Sequence, residues 1–152
     1  MLNGVVCHLT SGVVGTVVCG LYRPQTRVLR WARAGHLPPV LVRGGAAREL
    51  PLPGGVLLGM DPDASYEEAV QSLEPGDTLL LFTDGLIERR GDSIEDVLAE
   101  FVAGLGPGAA GRPEAPNPTG ADLTAAAQAD QILASAVSDT GDDACLVAVR
   151  IL

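Results

Sequence analysis

The residues best able to do chemistry are three aspartates at the ends of strand-like runs. Asp84 directly follows Thr78-Leu79-Leu80-Leu81-Phe82-Thr83, and Asp142 and Asp143 directly precede a second apolar run, residues 144–151. If the two runs are antiparallel neighbours, the end of one lies beside the start of the other, and all three carboxylates gather at one sheet edge. Carboxylate oxygens on a rigid edge suit Mg²⁺ or Mn²⁺, hard cations that prefer oxygen ligands. Two such ions can activate a water and draw charge from a phosphoryl group. The same residues also read as plain solvated turns, since Asp-Gly and Gly-Asp-Asp are common turn sequences. Spacing alone leaves both readings open.

Other groups carry less. His36, in Ala34-Gly35-His36-Leu37-Pro38-Pro39, sits where a strand ends, and a single histidine in a turn is more often structural. His8 has no partner in view. Arg27, Arg30 and Arg33 read as a solvated face, and Trp31 as a packing residue. There is no G-x-S-x-G, no P-loop and no zinc-like Cys/His spacing.

The elements that must position the aspartates follow from pattern. Residues 13–22 form a β-branched, nearly continuous apolar run, as expected of a strand buried on both faces. A turn at residues 23–26 and an extended stretch at 28–34 predict a hairpin. Arg27, Arg30 and Arg33 fall at helical spacing, but the stretch is too short for a helix. A short strand is expected at 40–42, a brief segment at 48–50, a Pro/Gly/Asp-rich loop over 51–65, and a further strand at 66–73. Glu74-Pro75-Gly76-Asp77 is a strong turn before the strand that ends at Asp84.

Ile94, Val97, Leu98, Phe101, Val102 and Leu105 form one apolar helical stripe, with Ser93 and Asp96 in a capping-box-like arrangement. Residues 104–120 hold five glycines and four prolines and read as a flexible loop. An Ala-rich helix is expected over 121–137, with Leu123, Ile132, Leu133 and Val137 on or near one face. Strands come mostly first and helices later, which predicts an α+β fold in one domain over residues 1–152.

Composition narrows the function. The 152 residues carry 19 acidic and 10 basic side chains, a formal charge of -9, which disfavours nucleic acid as a partner. Aromatics make up only 3% of residues, so the core must be built from Val, Leu and Ala. Cys7, Cys19 and Cys145 lie in apolar runs without C-x-x-C spacing. They read as buried thiols in a reducing compartment, with a Cys7–Cys19 pair as the alternative. No apolar stretch approaches the roughly 18 residues of a membrane span. No basic segment leads into a hydrophobic one at the start, so a cytoplasmic protein is expected.

Taken in order, these motifs resemble a known family. Residues 16–22, 29–34 and Ala34-Gly35-His36-Leu37-Pro38-Pro39 are followed by Pro53-Gly54-Gly55, Leu58-Gly59 and Leu73-Glu74-Pro75-Gly76-Asp77. Then come Leu79 to Glu88 through Thr83-Asp84-Gly85, and finally Asp142-Asp143-Ala144-Cys145-Leu146-Val147. The series is similar to the C-terminal two-thirds of a SpoIIE-type protein phosphatase domain of the PPM (type 2C) superfamily.

The resemblance implies a β-sandwich flanked by helices, with a two-metal site (Mn²⁺ or Mg²⁺) at one end of the sheets. It assigns Asp84 and Asp142 as catalytic metal ligands and adds Asp143, with Gly85 and His36 as accessory residues. It implies hydrolysis of phosphoserine or phosphothreonine on a regulatory protein such as an anti-sigma-factor antagonist, by activated water and without a phosphoenzyme. The family's G-D-x-x-D-like and D-x-x-G-H-G-like motifs, which supply further metal ligands, have no counterpart upstream of Leu2-Asn3. An N-terminally incomplete domain is therefore expected, with exposed sheet edges open to homodimerisation. The alternative function is a catalytically inactive phosphatase-like binding module.

Overall fold

The computed structural model of the chain describes residues 2–9, 12–106, 124–135, 141 and 143–152. Asp142, Leu123, Val137 and most of the Gly/Pro-rich loop lie outside the described residues. Two compact units emerge: Met1–Pro38 with Pro51–Leu73, and Pro39–Leu50 with Glu74–Leu152. Each contains one antiparallel sheet, and together the elements make an α+β fold.

In the first unit, β1 (Val17–Arg23) and β2 (Val28–Ala34) form the expected hairpin, in register from Val17 opposite Ala34 to Arg23 opposite Val28. Arg27 takes φ 51° to close it. The segment β5 (Ala69–Ser72) pairs on the other side of β2, giving the order β1-β2-β5. Trp31 is buried in β2, as expected of a packing residue, but β1 is not buried on both faces. Among the described residues it has a strand on one side only, and Cys19, Gly20 and Leu21 are exposed. A helix at the chain start, α1 (Leu2–Leu9), is docked by Asn3. Its amide donates to the Asp61 carbonyl at 2.8 Å and its Oδ1 accepts from the Gly59 N–H at 2.9 Å.

The second unit holds the order β4-β3-β6-β7. Here β3 (Val40–Arg43) and β6 (Thr78–Phe82) are central and almost wholly buried, while β4 (Ala46–Glu49) and β7 (Leu146–Arg150) flank them. The stripe predicted for residues 93–105 forms α2 (Ile94–Gly104), burying Val97, Leu98 and the following Leu105. Phe101 places its ring 4.9 Å from that of Phe82. The predicted capping box does not form. Ser93 makes no capping hydrogen bond, and its hydroxyl turns instead to Glu95 at 2.6 Å.

The last helix, α3 (Ala125–Ser135), packs beside β7 and buries Ile132, but Leu133 is 42% exposed and Gln128 takes the interior position instead. Gln128 precedes Ile132 by one helical turn, so the two share a face that Leu133, one residue on, does not.

The start of β6 is fixed by an ion pair. Arg43, at the end of β3, grips Asp77 with Nε to Oδ1 at 2.8 Å and a terminal nitrogen to Oδ2 at 2.7 Å. The Glu74 N–H also donates to Asp77 Oδ2 at 2.7 Å. Burial alone would raise the Asp77 carboxyl. The hydrogen bonds from Arg43 and the Glu74 N–H, with the Arg43 charge, outweigh it and hold the group below its ordinary value of 3.8. Gly76 and Asp77 then bond through their backbones to Ile151, tying this turn to the end of β7.

Candidate functional site

Asp84 follows the far end of β6. The condition set by the sequence is met: β6 and β7 are antiparallel neighbours, with Phe82 opposite Leu146. One step further, the Thr83 N–H donates to the Cys145 carbonyl at 3.0 Å. The Thr83 hydroxyl accepts the Cys145 N–H at 2.9 Å and donates to the Asp143 carbonyl at 3.1 Å. The backbone of Asp143 is thus held one hydrogen bond from the residue that precedes Asp84. Both carboxylate-bearing residues are exposed at this edge.

A short 3-10 turn, Asp84–Leu86, carries the first of them. Leu86 N–H closes it on the Thr83 carbonyl at 3.1 Å, and Ile87 and Glu88 N–H both reach the Asp84 carbonyl at 2.8 Å. Leu86 and Ile87 are buried and anchor the turn beneath its exposed aspartate. Gly85, also buried, donates its N–H to Asp84 Oδ1 at 3.0 Å and so fixes one oxygen of that carboxylate.

His36 belongs to the first unit. Arg33 donates to the His36 carbonyl at 3.0 Å and to the Pro53 carbonyl at 3.2 Å. The ring Nδ1 lies 3.1 Å from the Leu37 carbonyl. A carbonyl can only accept, so in this contact Nδ1 is the donor. Gly35 before it takes φ 62°, and a Cβ there would lie 2.3 Å from Leu57 Cδ2. These contacts make the Gly-His turn a structural feature of its own unit.

The cysteines correct one expectation. Cys19 and Cys145 are exposed and Cys7 is half-buried, and all three are free thiols. Cys19 lies on the edge strand β1, and Cys145 precedes β7, where its backbone rather than its side chain meets Thr83.

The donor set at the β6–β7 edge fits a hard divalent cation in kind, with oxygen ligands on backbone held by a paired strand. It does not by itself close around one. Among the described residues, no group of three or more His, Cys, Asp or Glu is arranged to hold a metal ion. Thr83 is the residue that sequence reasoning missed. Its only signal is a hydroxyl directly before Asp84, and its partners lie 60 and 62 residues away.

The family model described as Stage II sporulation protein E (SpoIIE) matches residues 1–152. The chain belongs to the SpoIIE family. Among solved structures, it is similar to the RsbU and RsbW domains of Rv1364c from Mycobacterium tuberculosis, with 29% identity and a TM-score of 0.67 over 89% of this chain and 36% of that one. It shares its fold with the SpoIIE phosphatase domain from Bacillus subtilis (Mn presoaked), at 17% identity and a TM-score of 0.61 over 97% and 62%. The same holds for the serine/threonine phosphatase PstP/Ppp of Mycobacterium tuberculosis, at 15% identity and a TM-score of 0.59 over 98% and 67%. This SpoIIE chain therefore spans about a third of the first structure's length and under two thirds of the second's. None of its helices, among the described residues, is long and apolar enough to cross a membrane.

Proposed function

We propose that this chain is the site-bearing part of a metal-dependent serine/threonine protein phosphatase that acts on a phosphorylated regulatory protein, such as an anti-sigma-factor antagonist, in the cytoplasm. The observation that carries the reading is the β6–β7 edge, where the Thr83 hydroxyl joins the backbone of Asp143 to the start of the turn that carries Asp84, in a chain of the SpoIIE family. In this reading Asp84, Asp142 and Asp143 supply carboxylate ligands to Mn²⁺ or Mg²⁺. Gly85 orients Asp84 through its N–H. Bound divalent cations would supply the positive charge that stabilises a phosphoryl group during transfer to water.

A regulatory phosphoprotein as substrate is supported by the similarity to the RsbU and RsbW domains. Three free thiols suit a reducing compartment. The exposed edge of β1, with Leu21 at 60% exposure, supports association with a second copy of the chain.

A second reading is a phosphatase-like binding module without turnover: the two candidate ligands described, Asp84 and Asp143, are too few to enclose an ion by themselves. One experiment separates the two. The purified chain is assayed for Mn²⁺-dependent hydrolysis of p-nitrophenyl phosphate beside Asp84→Asn. Metal-dependent turnover lost on substitution supports the phosphatase. No turnover from a folded sample refutes it for this chain and leaves the binding module.

A further inference from the structure

We propose that Thr83 is a positioning residue whose hydroxyl sets the spacing between the two carboxylate-bearing strand ends. This rests on the reading above for its metal consequence, but the clamp itself stands on contacts within one unit.

Thr83 extends the β6–β7 ladder one rung past its last regular pair, through its N–H to the Cys145 carbonyl. Beyond that rung, among the described residues, β6 and β7 form no further pair. The hydroxyl takes over there. It accepts from Cys145 N–H at 2.9 Å and donates to the Asp143 carbonyl at 3.1 Å, so its one donor and one acceptor lone pair are used on residues 143 and 145. The Thr83 carbonyl meanwhile starts the 3-10 turn that carries Asp84. One residue thus grips the Asp143 segment with its side chain and the Asp84 segment with its main chain.

Position and type both matter. Thr83 is extended, with φ -83° and ψ 157°, so its side chain projects sideways from a strand-like backbone. A β-branched residue there has few χ1 choices, which keeps the hydroxyl aimed. Valine has the same shape and can make neither bond. Serine keeps the hydroxyl and loses the methyl.

The test compares wild type, Thr83→Val and Thr83→Ser in two measurements: amide hydrogen exchange at Cys145 without metal, and Mn²⁺ titration followed by electron paramagnetic resonance. Thr83→Val is expected to speed Cys145 exchange and weaken Mn²⁺ binding about 10-fold or more, the usual effect of losing an outer-shell partner. Thr83→Ser, which keeps the hydroxyl, is expected to show much less of both effects. Unchanged Cys145 exchange in Thr83→Val, or loss as large in Thr83→Ser, overturns the clamp. Unaltered Mn²⁺ affinity in Thr83→Val overturns its positioning role. If the wild type takes up no Mn²⁺, the phosphatase reading fails, while the exchange comparison still decides the clamp.

Discussion

Breaking the Arg43–Asp77 pair should reveal an asymmetry that follows from exposure. The Asp77 side chain is 1% exposed and that of Arg43 40%. In Arg43→Ala the survivor is a buried carboxylate that keeps the Glu74 N–H at 2.7 Å but loses both guanidinium bonds. Removing one partner of a buried pair costs about 3–5 kcal/mol, and the remaining backbone donor places this case near 3 kcal/mol. In Asp77→Asn the survivor is Arg43, which water reaches and which keeps Glu74 at 2.7 Å, so the cost falls to about 1–2 kcal/mol. For a chain of this size these figures correspond to melting shifts of about 10 °C and about 4 °C.

The pH dependence carries the sharper test. In the wild type the Asp77 carboxyl is held below 3.8, so its stabilisation is complete above that value and is lost only as pH falls through the lower folded one. In Arg43→Ala, burial acts without its main opponent and raises the folded value. A buried group that titrates higher than in the unfolded chain destabilises at neutral pH and is relieved as pH falls. The gap between wild type and Arg43→Ala should therefore narrow between pH 7 and pH about 4.5. Urea unfolding at the two values measures it. A gap that stays constant or widens on acidification, or an Asp77→Asn variant as damaged as Arg43→Ala, would refute the reasoning.

Three further outcomes are expected. Gly35→Ala should lower the melting temperature by roughly 4 °C, because φ 62° costs an L-residue about 1–2 kcal/mol and its Cβ would also displace Leu57. Ser93→Ala should shift the melt by less than about 2 °C, since Ser93 caps no backbone N–H of α2. In native protein, a thiol reagent such as 5,5′-dithiobis(2-nitrobenzoate) should modify the exposed Cys19 and Cys145 quickly and the half-buried Cys7 slowly. A single fast thiol would contradict the placement of β1 as an edge strand or of Cys145 outside β7.

What could be read in the sequence was whatever a segment states about itself. Leu79, Leu80 and Phe82 announce a buried strand, and the stripe from Ile94 to Leu105 announces a helix, because burial on two faces or one leaves its own periodicity. What remained hidden depends on neighbours. The apolar run of β1 looks interior, yet its place at the edge of β1-β2-β5 is decided by which strands pair with it. The helix α1 includes Asn3 and Gly4, both poor helix formers, and is docked by bonds from Asn3 to residues 59 and 61. Ser93 has the type and position of a cap, but the neighbouring Glu95 competes for its hydroxyl. The Arg43–Asp77 pair spans 34 residues, and nothing in the sequence marks either one as the other's partner. At the candidate site Asp84 and Asp143 were legible as strand-end carboxylates, whereas Thr83 needed the β6–β7 register to acquire a role.

The two ends of β6 show how this placement is made rigid. At one end Arg43 and the backbone of Ile151 hold Asp77, and at the other Thr83 holds residues 143–145. Between them run five paired positions, from Thr78 opposite Arg150 to Phe82 opposite Leu146. A one-residue slip of β7 would break every ladder bond, misplace Ile151 at the first end and remove Cys145 from Thr83 at the second. The backbone of Asp143 is therefore held relative to Asp84 by the pairing of β6 with β7 together with the Thr83 hydroxyl. All of these contacts lie within one unit of the chain.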